Sequence, residues 1–262
     1  GHLIVSHDEK LAQASTDSTL RRYLRRFVGA EDFIQGRVRY CLWIRETQLQ
    51  DATRSQAIAD RLEAVKQMRL SNKATSTRDY ARAPYRFVQI QGIPKTATVV
   101  VPRVSSVRRA YLPVGLLDGT TIVADSAFAL YDASLWNLAV IASRLHLVWI
   151  AAVCGKLKTD YRYSNTLGWN TFPVPAFTEQ NLADLSASAS RILLVRESHF
   201  PATVAELYDP DNMPADLKTA HECNDEILER IYTGRRFNND TERLEKLFEL
   251  YVSSTPKHAS TQ

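Results

Sequence analysis

Cys154–Pro175, CGKLKTDYRYSNTLGWNTFPVP, is the stretch whose reading decides this chain. Lys156, Lys158 and Arg162 alternate with Asp160 at a two-residue step. In an extended segment, side chains two apart point to the same face. All four charged groups are therefore expected on one face of a pleated ribbon. Cations alone would suit phosphate, but phosphate would repel an acid set among them. Lysine donates to guanine O6 and N7, and aspartate accepts from cytosine N4. The pattern thus reads as a reader of base edges, with Lys158 and Asp160 able to reach one base pair. The competing reading pairs Asp160 with Lys158 or Arg162 on the surface, which contributes little. Tyr163, Ser164 and Asn165 come next as backbone-contacting candidates, while Tyr161, Tyr163 and Trp169 also suit packing. Phe172-Pro-Val-Pro175 resists both helix and central strand and marks a boundary.

Upstream, Leu11–Asp17 reads as a tether after a vector remnant at Gly1–His2. In RRYLRRF, Arg21/Arg25 and Arg22/Arg26 form helical i,i+4 pairs, with Tyr23, Leu24 and Phe27 as the apolar side. These four arginines are phosphate candidates, or else a solvated face paired with acids elsewhere. Arg37–Ile44 reads as a strand. Asp51–Leu70 reads as a helix with Ile58, Leu62, Val65 and Met68 inward and Arg61, Lys66 and Arg69 outward. Arg86–Gln91 and Thr96–Pro102 read as strands around Gly92 and Pro94. Arg103, Ser105, Ser106, Arg108 and Arg109 fall within seven positions, a mixture of hydroxyls and guanidinium groups suited to backbone contact. Tyr111–Leu117 and Thr121–Ala124 resemble a hairpin over Asp118-Gly119. Ser134 is the expected N-cap of a helix to about Leu145. His146, alone in an apolar setting, reads as a structural histidine.

Downstream of the boundary the chain turns helical and acidic. Thr178 caps a helix bearing Leu182, Leu185, Ala189, Ile192 and Leu193. A second carries Ile227, Leu228 and Ile231. A third, capped by Asn239 or Asp240, carries Leu244, Leu247, Phe248 and Tyr251. Ser253 onward is a polar tail. The expected organisation is α+β. Residues 1–20 are remnant and tether, and a mixed-sheet domain with flanking helices covers 21–176. A small all-α domain covers 177–253, and the tail covers 254–262.

The whole chain carries only +4 net charge. Arg21–Arg109 nevertheless holds 19 Lys/Arg against 7 Asp/Glu, and Thr178–Tyr251 holds 8 against 15. The front suits a polyanion and the back does not. Three scattered cysteines favour a reducing, cytoplasmic setting over a disulfide framework. Leu135–Cys154 is apolar but contains Arg144 and His146, so no membrane span is expected. There is no glycine-rich phosphate or dinucleotide loop, nucleophile elbow or His-Glu-x-x-His. Pro210-Asp211 with Asp216-Leu217-Lys218 mimics a nuclease pattern, but that chemistry needs carboxylates and lysine on adjoining strands around Mg²⁺. No catalytic, cofactor or metal residue is assigned.

At Arg37–Ile44, at Arg103–Ser106 and above all at LKTDYRYSNTLGWNTFPVP, the chain resembles the MmeI-like type II (IIL) restriction-modification enzymes. LYDPDNMP and NDEILERIYTGRRFNNDTERLEKLFELY resemble that family's C-terminal region. The resemblance covers about Phe27–Tyr251. FPVPAFTEQ is also similar to the end of target recognition domains in type I specificity subunits. The resemblance implies a C-terminal fragment: residues 21–176 as the DNA target recognition domain, 177–253 as the C-terminal helical domain. It implies that the parent's N-terminal domains methylate adenine N6 with S-adenosylmethionine and cleave DNA with Mg²⁺. The partners implied are double-stranded DNA and those methyltransferase and nuclease domains. Within that frame Lys158 and Asp160 are expected to read one base pair, G·C, with Lys156 beside them and Arg162 at a neighbouring pair. Asp125-Ser126-Ala127 offers a second reading loop, with Ser126 its candidate. Arg21, Arg22, Arg25, Arg26, Arg103, Ser105, Ser106, Arg108, Tyr163, Ser164 and Asn165 are the backbone candidates. The alternative is a structural or protein-interaction module that docks on the parent without reading bases.

Overall fold

A computed structural model describes residues 1–90 and 92–254. The chain begins β1 (Ile4–Ser6), α1 (His7–Ala14), α2 (Ser18–Tyr23), β2 (Leu24–Val28), α3 (Ala30–Gln35) and β3 (Arg39–Leu42). Next come α4 (Leu49–Ala52), α5 (Gln56–Leu70), α6 (Thr75–Asp79), β4 (Ala97–Pro102), β5 (Val104–Ser105) and β6 (Gly115–Asp118). Then come β7 (Ile122–Val123), β8 (Ala127–Tyr131), α7 (Trp136–Ile141), α8 (Arg144–Val153), β9 (Lys156–Leu157) and β10 (Asp160–Arg162). The last elements are α9 (Glu179–Ser198), α10 (Val204–Leu207), α11 (Ala215–Thr233) and α12 (Asp240–Ser254). Helices and mixed sheets make this an α+β chain. Two compact units form, Gly1–Ala97 with Asp118–Ala127, and Thr98–Leu117 with Phe128–Gln262.

The first unit is built on a sheet of order β1-β3-β2-β7, antiparallel except for the β2–β7 pair. Period-two alternation puts Tyr40 and Leu42 of β3 toward a core of Leu20, Tyr23, Ile58, Leu62 and Val65. Cys41 faces the other way, onto Phe27, Ile122 and Trp43. The expected tether is instead ordered. Leu3 and Val5 are buried. Ser6 starts α1 with a capping box, its Oγ accepting from the Glu9 amide at 3.2 Å while its own amide donates to the Glu9 carboxylate.

RRYLRRF does not stay helical. Asp17 accepts from the Leu20 amide and starts α2, which stops at Tyr23, and Leu24 enters β2. Pairing with β3 on one side and β7 on the other satisfies the strand's backbone. Arginine i,i+4 neighbours offer nothing to oppose this, because like charges at that spacing repel by a few tenths of a kcal/mol. The Asp51–Leu70 helix breaks at Thr53–Ser55, where Ser55 caps α5. Ile58, Leu62 and Val65 are buried as expected, but Met68 is exposed. Arg69, expected outside, is buried, and its guanidinium donates to the carbonyls of Tyr80, Ala83 and Arg86 at 2.9, 2.8 and 2.6 Å. Arg61 is tied to Glu9 and to the carbonyls of His2 and Ile4. Residues 86–90 form no strand, and the Gln91 end of that expectation lies outside the described residues.

In the second unit, sheets β6-β4-β8 and β5-β10-β9 flank helices that share one apolar core. The expected hairpin over Asp118-Gly119 does not form. A turn is present, held by Asp118 accepting from the Thr120 amide at 2.7 Å, but β6 joins β4 while β7 joins β2. The apolar helix breaks at Ala142–Ser143, because Ser143, not Ser134, caps a helix by accepting from the His146 amide. Thr178 caps α9, and Asn239 accepts from the Glu242 amide at the start of α12. These C-terminal helices pack into the same core as α7, α8 and β4. Residues 255–262 of the expected tail lie outside the described residues.

No helix among the described residues is long and apolar enough to cross a membrane.

Candidate nucleic-acid interface

The charged stretch is a hairpin, not a continuous ribbon. β9 and β10 pair antiparallel, with Leu157 opposite Asp160 and Lys156 opposite Tyr161. Lys158 and Thr159 form the turn, and Lys158 has φ 57°. A two-residue hairpin needs such a positive φ so that its twist matches the strands. β10 also pairs with β5, Tyr161 opposite Ser105 and Arg162 opposite Val104.

Cross-strand partners share a face. One face therefore carries Asp160, Arg162, Leu157 and Val104. The other carries Tyr161, Ser105 and Lys156. Tyr161 packs on the core and Ser105 is buried, so this second face is the inner one. Asp160 and Arg162 stay together as expected, with Arg162 exposed and Asp160 half-buried. Lys156 is exposed but belongs to the opposite face, because the turn resets the alternation. Lys158 is exposed at the hairpin tip.

The hairpin stands on a rigid base. Beyond β10 the Tyr163 amide donates to the Arg103 carbonyl at 2.8 Å. The Tyr163 ring is buried, its hydroxyl 3.0 Å from Nε2 of the fully buried His146. Burial presses the His146 pKa down to about 3, so the ring is neutral. Tyr163 is thus a packing residue and is withdrawn from any phosphate. Ser105 is withdrawn likewise by burial. Ser164 accepts from the Leu167 amide and caps a π-helical turn, Asn165–Trp169. Gly168 in that turn lies so close to α8 that a Cβ would meet Cys154 Sγ and Ile150 at 3.2 Å. Asn165 itself is exposed.

Of the basic candidates in this unit, Arg103 is exposed with its guanidinium 4.8 Å from the Phe128 ring centre, a cation–π contact. Arg108 is exposed and paired with both oxygens of Asp211. Ser106 accepts from the Arg108 amide. Arg109, from the same run, is half-buried. Burial, the larger cause, lowers its pKa, and the nearby carboxylates of Asp160 and Asp209 push it back up. A cation thus backs the acid of the hairpin.

In the first unit, Arg22 is exposed and reaches Asp51 at 2.9 Å. Arg21 donates to the Ala14 carbonyl, and Arg25 to those of Arg22 and Leu24. Arg26 is exposed on β2. Ser126 is exposed, but its Oγ accepts from the Ala30 amide at 3.0 Å. The hydroxyl there holds the start of α3. Asp216, of the nuclease-like pattern, lies 2.9 Å from His199, and Asp211 belongs to Arg108. Among the described residues no three His, Cys, Asp or Glu side chains are grouped to hold a metal.

Sequence reasoning missed Leu157 and Val104 as neighbours of Asp160 and Arg162. Neither Asn-Gly nor Asp-Gly marks the Lys158-Thr159 turn, so no local signal announces the hairpin.

Comparison with known proteins matches both parts of the chain. Residues 1–176 match the model of the MmeI target recognition domain, and residues 178–258 that of the MmeI C-terminal domain. DNA methyltransferase A of Bacillus subtilis (strain 168) is 38% identical over 235 residues, covering 90% of this chain and 26% of that protein. A solved structure of the type IIL restriction-modification enzyme MmeI in complex with DNA matches at TM-score 0.90 and 30% identity. That match covers 97% of this chain and 34% of the enzyme's. The chain therefore spans about a quarter to a third of these relatives, and across that span it belongs to the MmeI family, as a target recognition domain followed by the family's C-terminal domain.

Proposed function

We propose that this chain is the sequence-reading module of a type II restriction-modification enzyme and that the β9–β10 hairpin enters the major groove. The observation that carries this is the likeness over 97% of the chain to an enzyme whose structure is a DNA complex. The hairpin geometry supports it. Two residues along a strand rise about 6.8 Å, which equals two base-pair steps of about 3.4 Å. Asp160 and Arg162 then address base pairs two steps apart. Asp160 accepts from a cytosine N4, Lys158 at the tip donates to the paired guanine, and Arg162 donates to a purine further along. Lys156 lies on the other face and is proposed for phosphate, together with Arg103, Arg108, Asn165 and the first unit's Arg21, Arg22, Arg25 and Arg26. Arg108 would exchange Asp211 for phosphate.

The finer chemistry is proposed for the parent enzyme: methylation of adenine N6, the base being flipped from the stack, and cleavage. S-adenosylmethionine and Mg²⁺ would be held by its methyltransferase and nuclease domains, in the cytoplasm. The sequence has no glycine-rich turn, and the described residues group no metal cluster, for either.

The test is made in the intact parent. Exchanging Lys158 and Asp160 for a different acid–base combination should change the base pair accepted at one position. Asp160→Asn should relax discrimination there by about 1–3 kcal/mol. Unaltered specificity in both variants removes the hairpin from base reading.

A further inference from the structure

The outer face of the β5-β10-β9 sheet carries two apolar side chains that folding does not explain. Leu157 lies opposite Asp160 and Val104 opposite Arg162, and they are 50% and 38% exposed. The inner face already packs through Tyr161 and Ser105, so these two side chains add nothing to the core. Exposed cations adjoin them: Lys158 follows Leu157 in the turn, Arg162 lies opposite Val104, and Arg103 precedes Val104. An apolar protein or lipid partner would have to desolvate these cations, whereas a polyanion is attracted by them.

We propose that Leu157 contacts the C5-methyl group of a thymine adjacent to the base pair that Asp160 reads. The inference rests on the DNA-reading function proposed above and names a further specificity-determining residue for it. The thymine methyl is the apolar feature on the major-groove edges of the bases. Directly opposed Cβ atoms sit about 4.5–5.5 Å apart across the strands, so Leu157 lies beside Asp160 on the same face. Lys158 and Asp160 take up one G·C pair, and the methyl group that Leu157 meets therefore belongs to an adjoining pair.

The experiment uses the intact parent enzyme and a site selected from randomised duplexes. Each thymine of that site is replaced singly by deoxyuridine, which removes one methyl group and leaves the hydrogen-bonding edge intact. The wild type should bind about fourfold more weakly at one such position, the value of one buried methyl. Leu157→Ala should bind the thymine duplex more weakly by at least that factor and be indifferent to the uracil exchange. Leu157→Ser, also exposed and equally foldable, should behave the same. The inference is overturned if no uracil exchange affects the wild type. It is also overturned if Leu157→Ala still senses the methyl group, or if it weakens every duplex alike, as a wedge between base steps would. Selection that yields no preferred site overturns the DNA-reading function itself, whereas a site that depends on Asp160 but ignores Leu157 overturns only this inference.

Discussion

Arg69 separates a structural cation from a DNA-binding one. Its side chain is removed by Arg69→Met, which keeps most of the apolar volume. Arg69 is 5% exposed, and its guanidinium donates to three carbonyls, joining α5 to the segment from Tyr80 to Arg86. A hydrogen bond to a charged group is worth about 1.5–3 kcal/mol, and an acceptor left buried and unpaired costs about 1–3 kcal/mol. The three bonds share one donor group and do not add fully, so the expected loss is about 3–5 kcal/mol. Against a typical total of about 5–15 kcal/mol this is severe. Urea unfolding followed by tryptophan fluorescence gives the overall loss. Hydrogen exchange of the amides between Tyr80 and Arg86 gives the local one. Arg69→Lys should fall between, since one ammonium cannot reach three carbonyls in the guanidinium's fixed fork. The folded variant should keep the parent's salt dependence of DNA binding. A stability loss below about 1 kcal/mol, or a salt slope reduced by about one, refutes the structural role.

Other outcomes follow from the same physics. Lys158→Gly removes a side chain from a left-handed turn position; the thermal midpoint should hold or rise, because the αL penalty of about 1–2 kcal/mol disappears, while discrimination at one base pair falls. Calorimetry and binding on the same sample check both, and a clear drop in midpoint contradicts the turn geometry. Asp225 is buried, accepts from the Tyr111 hydroxyl and the Arg144 amide, and burial pushes its pKa up from 3.8 to about 7. A raised folded pKa contributes stability that is complete below about pH 4 and is lost as pH rises through about 7. Asp225→Asn should therefore gain about 4 kcal/mol on the wild type between pH 4 and pH 8; a stability difference between the two proteins that is the same at both pH values in urea titrations sinks the argument.

Residues whose signal is local were legible before folding. The caps at Thr178 and Asn239, the i, i+3, i+4 apolar stripes of α9 and α12 and the buried His146 each depend on neighbours within a turn or two. Long motifs in the family's order identified the function class. Ser6 with Glu9 also carried a local signal, a capping box that the polar composition of Leu11–Asp17 obscured.

What only the tertiary structure decided is pairing between distant segments. Tyr161 meets Ser105 across more than fifty residues, and that pairing hides Ser105, buries Tyr163 and turns Asp160 and Arg162 outward. β2 became a strand because β3 and β7 were there to receive its amides, a partner no window around RRYLRRF contains. Arg69 went inward for three carbonyls that lie eleven to seventeen residues along the chain. Propensity and period act over a few residues, whereas a backbone donor or a buried charge is satisfied wherever the fold brings a partner. The amino-acid order thus determined which groups were candidates for reading DNA, and long-range pairing determined which of them share an exposed face.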